Sequence, residues 1–401
     1  MPSPVVLGLL VYILGTIINR SISHLVDSTT QNNPVVLYYS DVKNIILCTQ
    51  LRVYYRTCQL MLSYPFGKKQ SPVSGSIKEV ADGVYWLRMS LPFTLDHINL
   101  WLLEDDTGWT VIDTGISTKE IRGSWQQVIK QHLKNKPIKR VIVTHLHPDH
   151  IGLAGWLTEQ FQCDLWISQK EFQLCQSIIE TTSKAVPDWA INFYHSAGYN
   201  EEQLSIYKRG FSNFAKIISP LPNSYQQLED GNYLNINNRN WEVVIGSGHS
   251  PEHVCLYCAD LKLLISGDQV LPRITSNISV FPMDPDANPL SDWLHSCASL
   301  RKRLPDDLLV LPSHQEPFYG LHHRLETLIN SHELALERLL AYLGSPRKAI
   351  DCMATMFGRK INNSELQFAI GEILAHLNYL IQKGRVCCKK MKDGFHYYSL
   401  S

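Results

Sequence analysis

Between Arg140 and Gly152 the chain reads R-V-I-V-T-H-L-H-P-D-H-I-G, which places three imidazoles (His145, His147, His150) and one carboxylate (Asp149) within six consecutive residues. Imidazole and carboxylate side chains are ligand types for zinc, iron and manganese. A single histidine here would read as part of a polar surface loop, whereas clustered groups at this spacing read as a metal site. One loop cannot complete the shells of two metal ions, so further ligands must come from elsewhere in the chain. They follow in order: His249 and His253 in G-S-G-H-S-P-E-H, Asp268 in S-G-D, and His314 in P-S-H.

Positioning these groups requires strands that end where the ligands begin. Val141-Ile142-Val143 is a β-branched run suited to a buried strand. His145 and His147 are two residues apart, so on extended backbone both side chains point the same way. Pro148 suits the start of a helix, because its missing N–H would be unpaired there anyway. Ile151, Leu153, Ala154, Trp156 and Leu157 then continue as an apolar helix. The same arrangement recurs downstream. Val243-Val244-Ile245 precedes His249, Leu263-Leu264-Ile265 precedes Asp268, and Leu308 to Leu311 precedes His314. Polar groups collected at one end of a set of strands are what α/β architectures provide.

Taken together, V-I-D-T-G with Asp113, T-H-L-H-P-D-H-I-G, G-H-S-P-E-H, S-G-D and P-S-H resemble the successive motifs of the metallo-β-lactamase fold hydrolases, over about Ile77 to His314. The resemblance implies an α/β fold, a four-layer αββα sandwich. It implies one metal ion held by His145, His147 and His249. A second would be held by Asp149, His150 and His314, with Asp268 bridging the two. Asp113 and His253 would support these ligands without binding metal, Asp113 through hydrogen bonds to the metal loop. The implied cofactors are two divalent ions, zinc foremost, with iron or manganese as alternatives. The implied catalytic residues are Asp149 and Asp268, which would orient a hydroxide bridging the two metals and accept its proton.

Composition narrows the class. At 401 residues the chain is longer than one average domain. Its 44% hydrophobic and 18% charged content belongs to a globular protein and excludes a disordered one. The 37 basic and 37 acidic residues cancel, so no overall electrostatic attraction to nucleic acid follows. Ten scattered cysteines form no small disulfide framework. Cys255-Leu-Tyr-Cys258 has zinc-ligand spacing but no matching second pair, and reads as buried free thiols. A reduced, cytoplasmic setting is the expectation.

Three regions are expected. Residues 1–76 form an amino-terminal extension of unassigned role. Within it, residues 5–18 are nearly all apolar but short of the about 20 residues of a membrane span, which leaves membrane association as the alternative location. Residues 77–320 form the catalytic domain, opening with a β-meander over Val84 to Ile112. A helical, aromatic-rich insert spans about Gln169 to Ile218. His97, before the second strand, and Tyr194 and His195, in the insert, are the candidate substrate contacts. Residues 321–401 read as long helices closed by two short strands around Lys392-Asp393-Gly394, with Ser364 as a cap. That order resembles a winged-helix domain, as in the glyoxalase-II-like and lactamase-like branch of the family.

The expected activity is metal-dependent hydrolysis of a small carboxyl ester or thioester. The alternative is endoribonuclease action on single-stranded RNA, suggested by the winged-helix resemblance. Nucleic acid is not the favoured partner, because Pro346 to Ser401 carries nine Lys/Arg against four Asp/Glu without a basic-aromatic cluster. Oligomeric state is not legible in the sequence.

Overall fold

The computed structural model describes residues 62–67, 70–93, 95–133, 135–363 and 365–401, all within the compact unit Thr57–Ser401. The apolar segment 5–18 and the cap residue Ser364 lie outside the described residues. Among the described residues no helix is long and apolar enough to cross a membrane.

Seven strands form the first sheet: β1 (Ile77–Ala81), β2 (Val84–Ser90), β3 (His97–Asp105), β4 (Gly108–Ile112), β5 (Ile138–Ile142), β6 (Asp164–Ile167) and β7 (Gln226–Gln227). The first four are antiparallel neighbours; β2 to β4 form the expected meander, and β1 adds a further strand at its edge. From β4 to β7 the pairing is parallel, so β4, β5 and β6 end at the same edge. The second sheet runs, in chain order, β8 (Tyr233–Ile236), β9 (Arg239–Gly246), β10 (His253–Cys258), β11 (Leu263–Gly267) and β12 (Leu309–Pro312). Here β11 and β12 are parallel and also end together.

Period-two alternation of side chains decides which residues join the layers. Trp86, Trp101, Ile112 and Ile142 of the first sheet pack on Trp241, Val243, Val254, Leu256, Ile265 and Leu311 of the second. On the outer face of the first sheet, Leu100, Leu102, Val111 and Val141 meet helices α1 (Lys119–His132), α2 (Pro148–Ile151), α3 (Ala154–Phe161) and α4 (Gln169–Thr182). The insert continues as α5 (Asp188–Ser196), α6 (Glu201–Gly210) and α7 (Asn213–Lys216). On the outer face of the second sheet, Val244, Cys255, Leu264 and Val310 meet α8 (Pro289–Arg303), α9 (Leu321–Tyr342) and, after the short α10 (Met353–Phe357), α11 (Leu366–Gln382). The result is a four-layer αββα sandwich. The chain closes with the antiparallel pair β13 (Val386–Lys390) and β14 (His396–Leu400).

Two helices differ from the sequence reading. The expected continuous helix after the metal loop is broken between α2 and α3. There the Leu153 N–H turns aside to the Gly115 carbonyl and Thr114 Oγ1, both at 3.0 Å. Within residues 321–401, read as long helices before the closing strands, the segment 346–357 begins instead as a 3₁₀ turn at Ala349–Cys352, where the Asp351 carboxylate accepts the Lys348 N–H at 3.0 Å. Cys255 and Cys258 lie buried in β10 as free thiols, and burial raises both pKa values. Residues 62–66, which the sequence reading placed in the extension, pack on the sandwich. Ser63 exchanges backbone hydrogen bonds with Tyr319, Leu62 joins the outer core, and Phe66 sits against Trp86.

Candidate metal centre

Strand ends dictate where the polar groups collect. Asp113 follows β4, His145 and His147 follow β5, His249 follows β9, Asp268 follows β11 and His314 follows β12. Pro148 opens α2, which carries Asp149 and His150 on its first turn. Three groups of side chains come close enough to share an ion: His145, His147 and His249; His145, His150 and Asp268; and Asp149, His150 and His314. Together they hold all seven expected ligands in one cluster.

Hydrogen bonds fix how the rings face. His249 Nδ1 donates to the Asn277 carbonyl at 2.7 Å, and His314 Nδ1 donates to the His97 carbonyl at 2.7 Å. His150 Nδ1 donates to Asp113 Oδ2 at 2.7 Å, and His145 Nδ1 lies 3.1 Å from Thr144 Oγ1. With Nδ1 directed outward, these four rings turn Nε2 toward a common space. His147 presents Nδ1 instead, 2.8 Å from His145 Nε2, which itself lies 3.2 Å from His249 Nε2.

This donor set fits a metal ion. His150 Nε2 and Asp268 Oδ1 are buried with no hydrogen-bond partner, an arrangement costly for polar atoms unless something else binds them. Asp268 lies 3.5 Å from His249 Nε2 through Oδ2 and 3.4 Å from His314 Nε2 through Oδ1. Asp149 Oδ2 lies 3.4 Å from His314 Nε2 and 3.7 Å from His150 Nε2. Three of these four gaps fall within the roughly 3.3–3.6 Å expected between ligand atoms each about 2.0–2.2 Å from a tetrahedral zinc.

Electrostatics agree with that crowding. Burial lowers the His147 pKa to about 3, reinforced by the neighbouring His249. Burial alone would raise Asp149, but His150 and His314 overcome it and bring the carboxyl to about 2. Burial likewise opposes charge on His314, yet Asp268 and Asp149 lift it to about 10. The carboxylates therefore favour positive charge in the space they share.

Supporting residues explain the motifs. Asp113, at φ 60°, accepts the Thr144 N–H at 2.8 Å and the Thr144 hydroxyl, as well as His150 Nδ1. His253 is buried and stacks on the His145 ring at 4.7 Å, while its Nε2 accepts the Asp268 N–H at 3.0 Å. Gly267 must be glycine: its φ is 53°, and a Cβ would lie 2.4 Å from the His253 ring.

The three candidate substrate contacts are placed differently. His97 lies beside the cluster, its ring 6.3 Å from His314, with Nδ1 on Asp96 and Nε2 accepting the Gln315 N–H. Tyr194 is buried in the outer core against Tyr199 and Tyr207. His195 stacks on Phe395 beside the closing hairpin.

Sequence reasoning missed Thr144 and Asn277. Thr144 links Asp113 to the His145 ring, and its hydroxyl also lies 3.2 Å from His150 Nδ1, which Asp113 meets directly. Asn277 is anchored from α11, its Nδ2 donating to the Phe368 carbonyl at 3.3 Å and to Glu372 Oε2 at 3.1 Å. A threonine beside the ligands was visible in the motif, but a backbone carbonyl acting on a ring leaves no signal in residue type.

Comparison with known proteins agrees with the architecture. The sequence profile of the metallo-beta-lactamase superfamily matches residues 93–314, and that of the metallo-beta-lactamase-like C-terminal domain matches residues 336–401. A crystal structure of a beta-lactamase domain protein from Burkholderia ambifaria superimposes with a TM-score of 0.79 at 38% identity, covering 86% of this chain and all of that one. A metallo-beta-lactamase family protein from Thermus thermophilus gives 0.68 at 26% identity, over 80% of this chain and 99% of that one. A probable metallo-hydrolase of Bacillus subtilis is 24% identical over 75% of this chain and 92% of its own length. A human acyl-coenzyme A thioesterase is 25% identical over 60% of this chain and 81% of its own.

Proposed function

This chain belongs to the metallo-beta-lactamase superfamily and is a metallo-hydrolase, and on that premise we propose that it cleaves a small thioester with two divalent metal ions, zinc foremost, bound in one cluster. The observation that carries this reading is the pair of donor groups, His145/His147/His249 and Asp149/His150/His314, with Asp268 between them. The similarity to an acyl-coenzyme A thioesterase supports the choice of thioester, as does the zero net charge of the chain.

Bound in that cluster, divalent cations supply Lewis-acid polarisation and lower the pKa of water toward neutrality. His145, His147 and His249 would form one shell, and Asp149, His150 and His314 the other. Asp149 is the most exposed of the carboxylates at the site, its side chain 20% accessible against 11% for Asp268. With Oδ2 turned to His150 and His314, Asp149 Oδ1 is the oxygen left to orient the attacking water and take its proton. Asp268 holds the two shells in register. The Nδ1 bonds of His145, His150, His249 and His314 keep each ring in the tautomer that leaves Nε2 free.

RNA cleavage is the competing activity, and exposed Lys389, Lys390 and Lys392 at the closing hairpin are the basic residues that would serve it. RNA affinity rests on phosphate contacts and falls steeply with salt. A small thioester without phosphate groups and a single-stranded RNA assayed side by side at low and high salt separate the two. The expected result is thioester turnover, unchanged when Lys389, Lys390 and Lys392 are all replaced by Glu, and no RNA cleavage. Metal-dependent RNA cleavage that this triple substitution abolishes would overturn the thioester reading.

A further inference from the structure

Ser168 to Glu171 spells S-x-x-E at the start of α4, the signature of a capping box. In a capping box the serine accepts an N–H of its own helix, and the glutamate reaches back to the serine N–H. Neither happens here. Ser168 makes no cap bond, and its hydroxyl donates instead to the Glu252 carbonyl at 2.8 Å. Glu171 is fully buried, and its carboxyl leaves the helix altogether. Oε2 accepts the Leu146 N–H at 2.9 Å, and Oε1 accepts the Glu252 N–H at 2.8 Å. Glu252 answers in kind, its Oε2 accepting the Lys170 N–H at 3.1 Å.

Those two amides are not arbitrary. Leu146 stands between His145 and His147, and Glu252 lies in the turn between His249 and His253. One carboxyl thus ties together the two loops that supply all three imidazoles of one shell. Among the described residues no hydrogen bond joins it to the backbone of Asp149, His150, Asp268 or His314; Asp113, His253 and the His97 carbonyl hold His150, Asp268 and His314 instead.

We infer that Glu171 is the positioning residue for the three-histidine shell alone, setting the separation of the His145–His147 loop from the His249 loop before metal arrives. The inference rests on the two-shell reading above, so the wild-type isotherm is recorded first: a chain that binds no zinc defeats that reading, whatever Glu171 does.

The test is zinc binding to the full chain, by competition with a chromophoric chelator. His249→Ala identifies the binding step that belongs to the three-histidine shell. Glu171→Gln keeps the shape but sets an NH₂ against one of the two amides. That step is expected to weaken ~10–100-fold, the range typical of groups that orient metal ligands, while the other step is retained. Equal weakening of both steps, no weakening, or weakening of the other step alone would overturn the proposal. If Glu171→Gln does not fold, amide hydrogen exchange on metal-free wild-type protein decides. The Leu146 and Glu252 amides are expected to be as protected as those of α4. Exchange at the rate of an open loop would show that nothing holds the two loops in advance.

Discussion

Asp149→Ala is expected to lower kcat for thioester hydrolysis by at least ~100-fold, because it removes a shell ligand and the proton acceptor at once. The side chain faces both His150 and His314 through Oδ2 and is the carboxylate nearest the solvent side of the cluster. Its loss should also lower metal content at the shell it shares with those rings, leaving the three-histidine shell filled. Steady-state kinetics with metal analysis of the same sample checks both effects. A variant that keeps full kcat would remove Asp149 from the chemistry.

Asp113→Ala acts at one remove and should also be severe. Its carboxylate receives the His150 ring, the Thr144 hydroxyl and the Thr144 N–H, all buried. Without it, only the Thr144 hydroxyl, 3.2 Å from His150 Nδ1, is left to fix which nitrogen carries the proton, and the ring can present an N–H where a lone pair is needed. Affinity of the Asp149/His150/His314 shell should fall by ~10–100-fold. The orphaned Thr144 N–H should add about 1–3 kcal/mol of destabilisation. Zinc competition and denaturant unfolding of metal-free protein measure the two separately. Asp113→Asn distinguishes them further, since the amide oxygen can still accept the Thr144 N–H. It should recover stability more than metal affinity.

Why the site was so legible, and its surroundings less so, follows from how each is encoded. The candidate ligands sit shortly after strands whose apolar runs announce them, so type and spacing survive in the linear sequence. Asp113 and His253 were legible through the same motifs. Asn277 works through its carbonyl, which every residue possesses. Glu171 was hidden because S-x-x-E has a local explanation, and only the fold shows that the local bonds were given up. The aromatics of the insert could have lined a pocket or filled a core. Tyr194 packs among Tyr199 and Tyr207 because α5 and α6 lean on the outer helical layer, a long-range contact that periodicity does not report. The helix break after Gly152 has the same origin: the Leu153 N–H bonds to the Gly115 carbonyl and Thr114 Oγ1, residues remote in sequence.

Thioester turnover is expected to need two metal shells acting as one site. The most direct test is to titrate metal-free protein with zinc while recording bound metal per chain and acyl-coenzyme A turnover on the same samples. Turnover is expected to rise to its full value only as occupancy approaches two ions per chain. Saturation at one ion per chain with full turnover would contradict it.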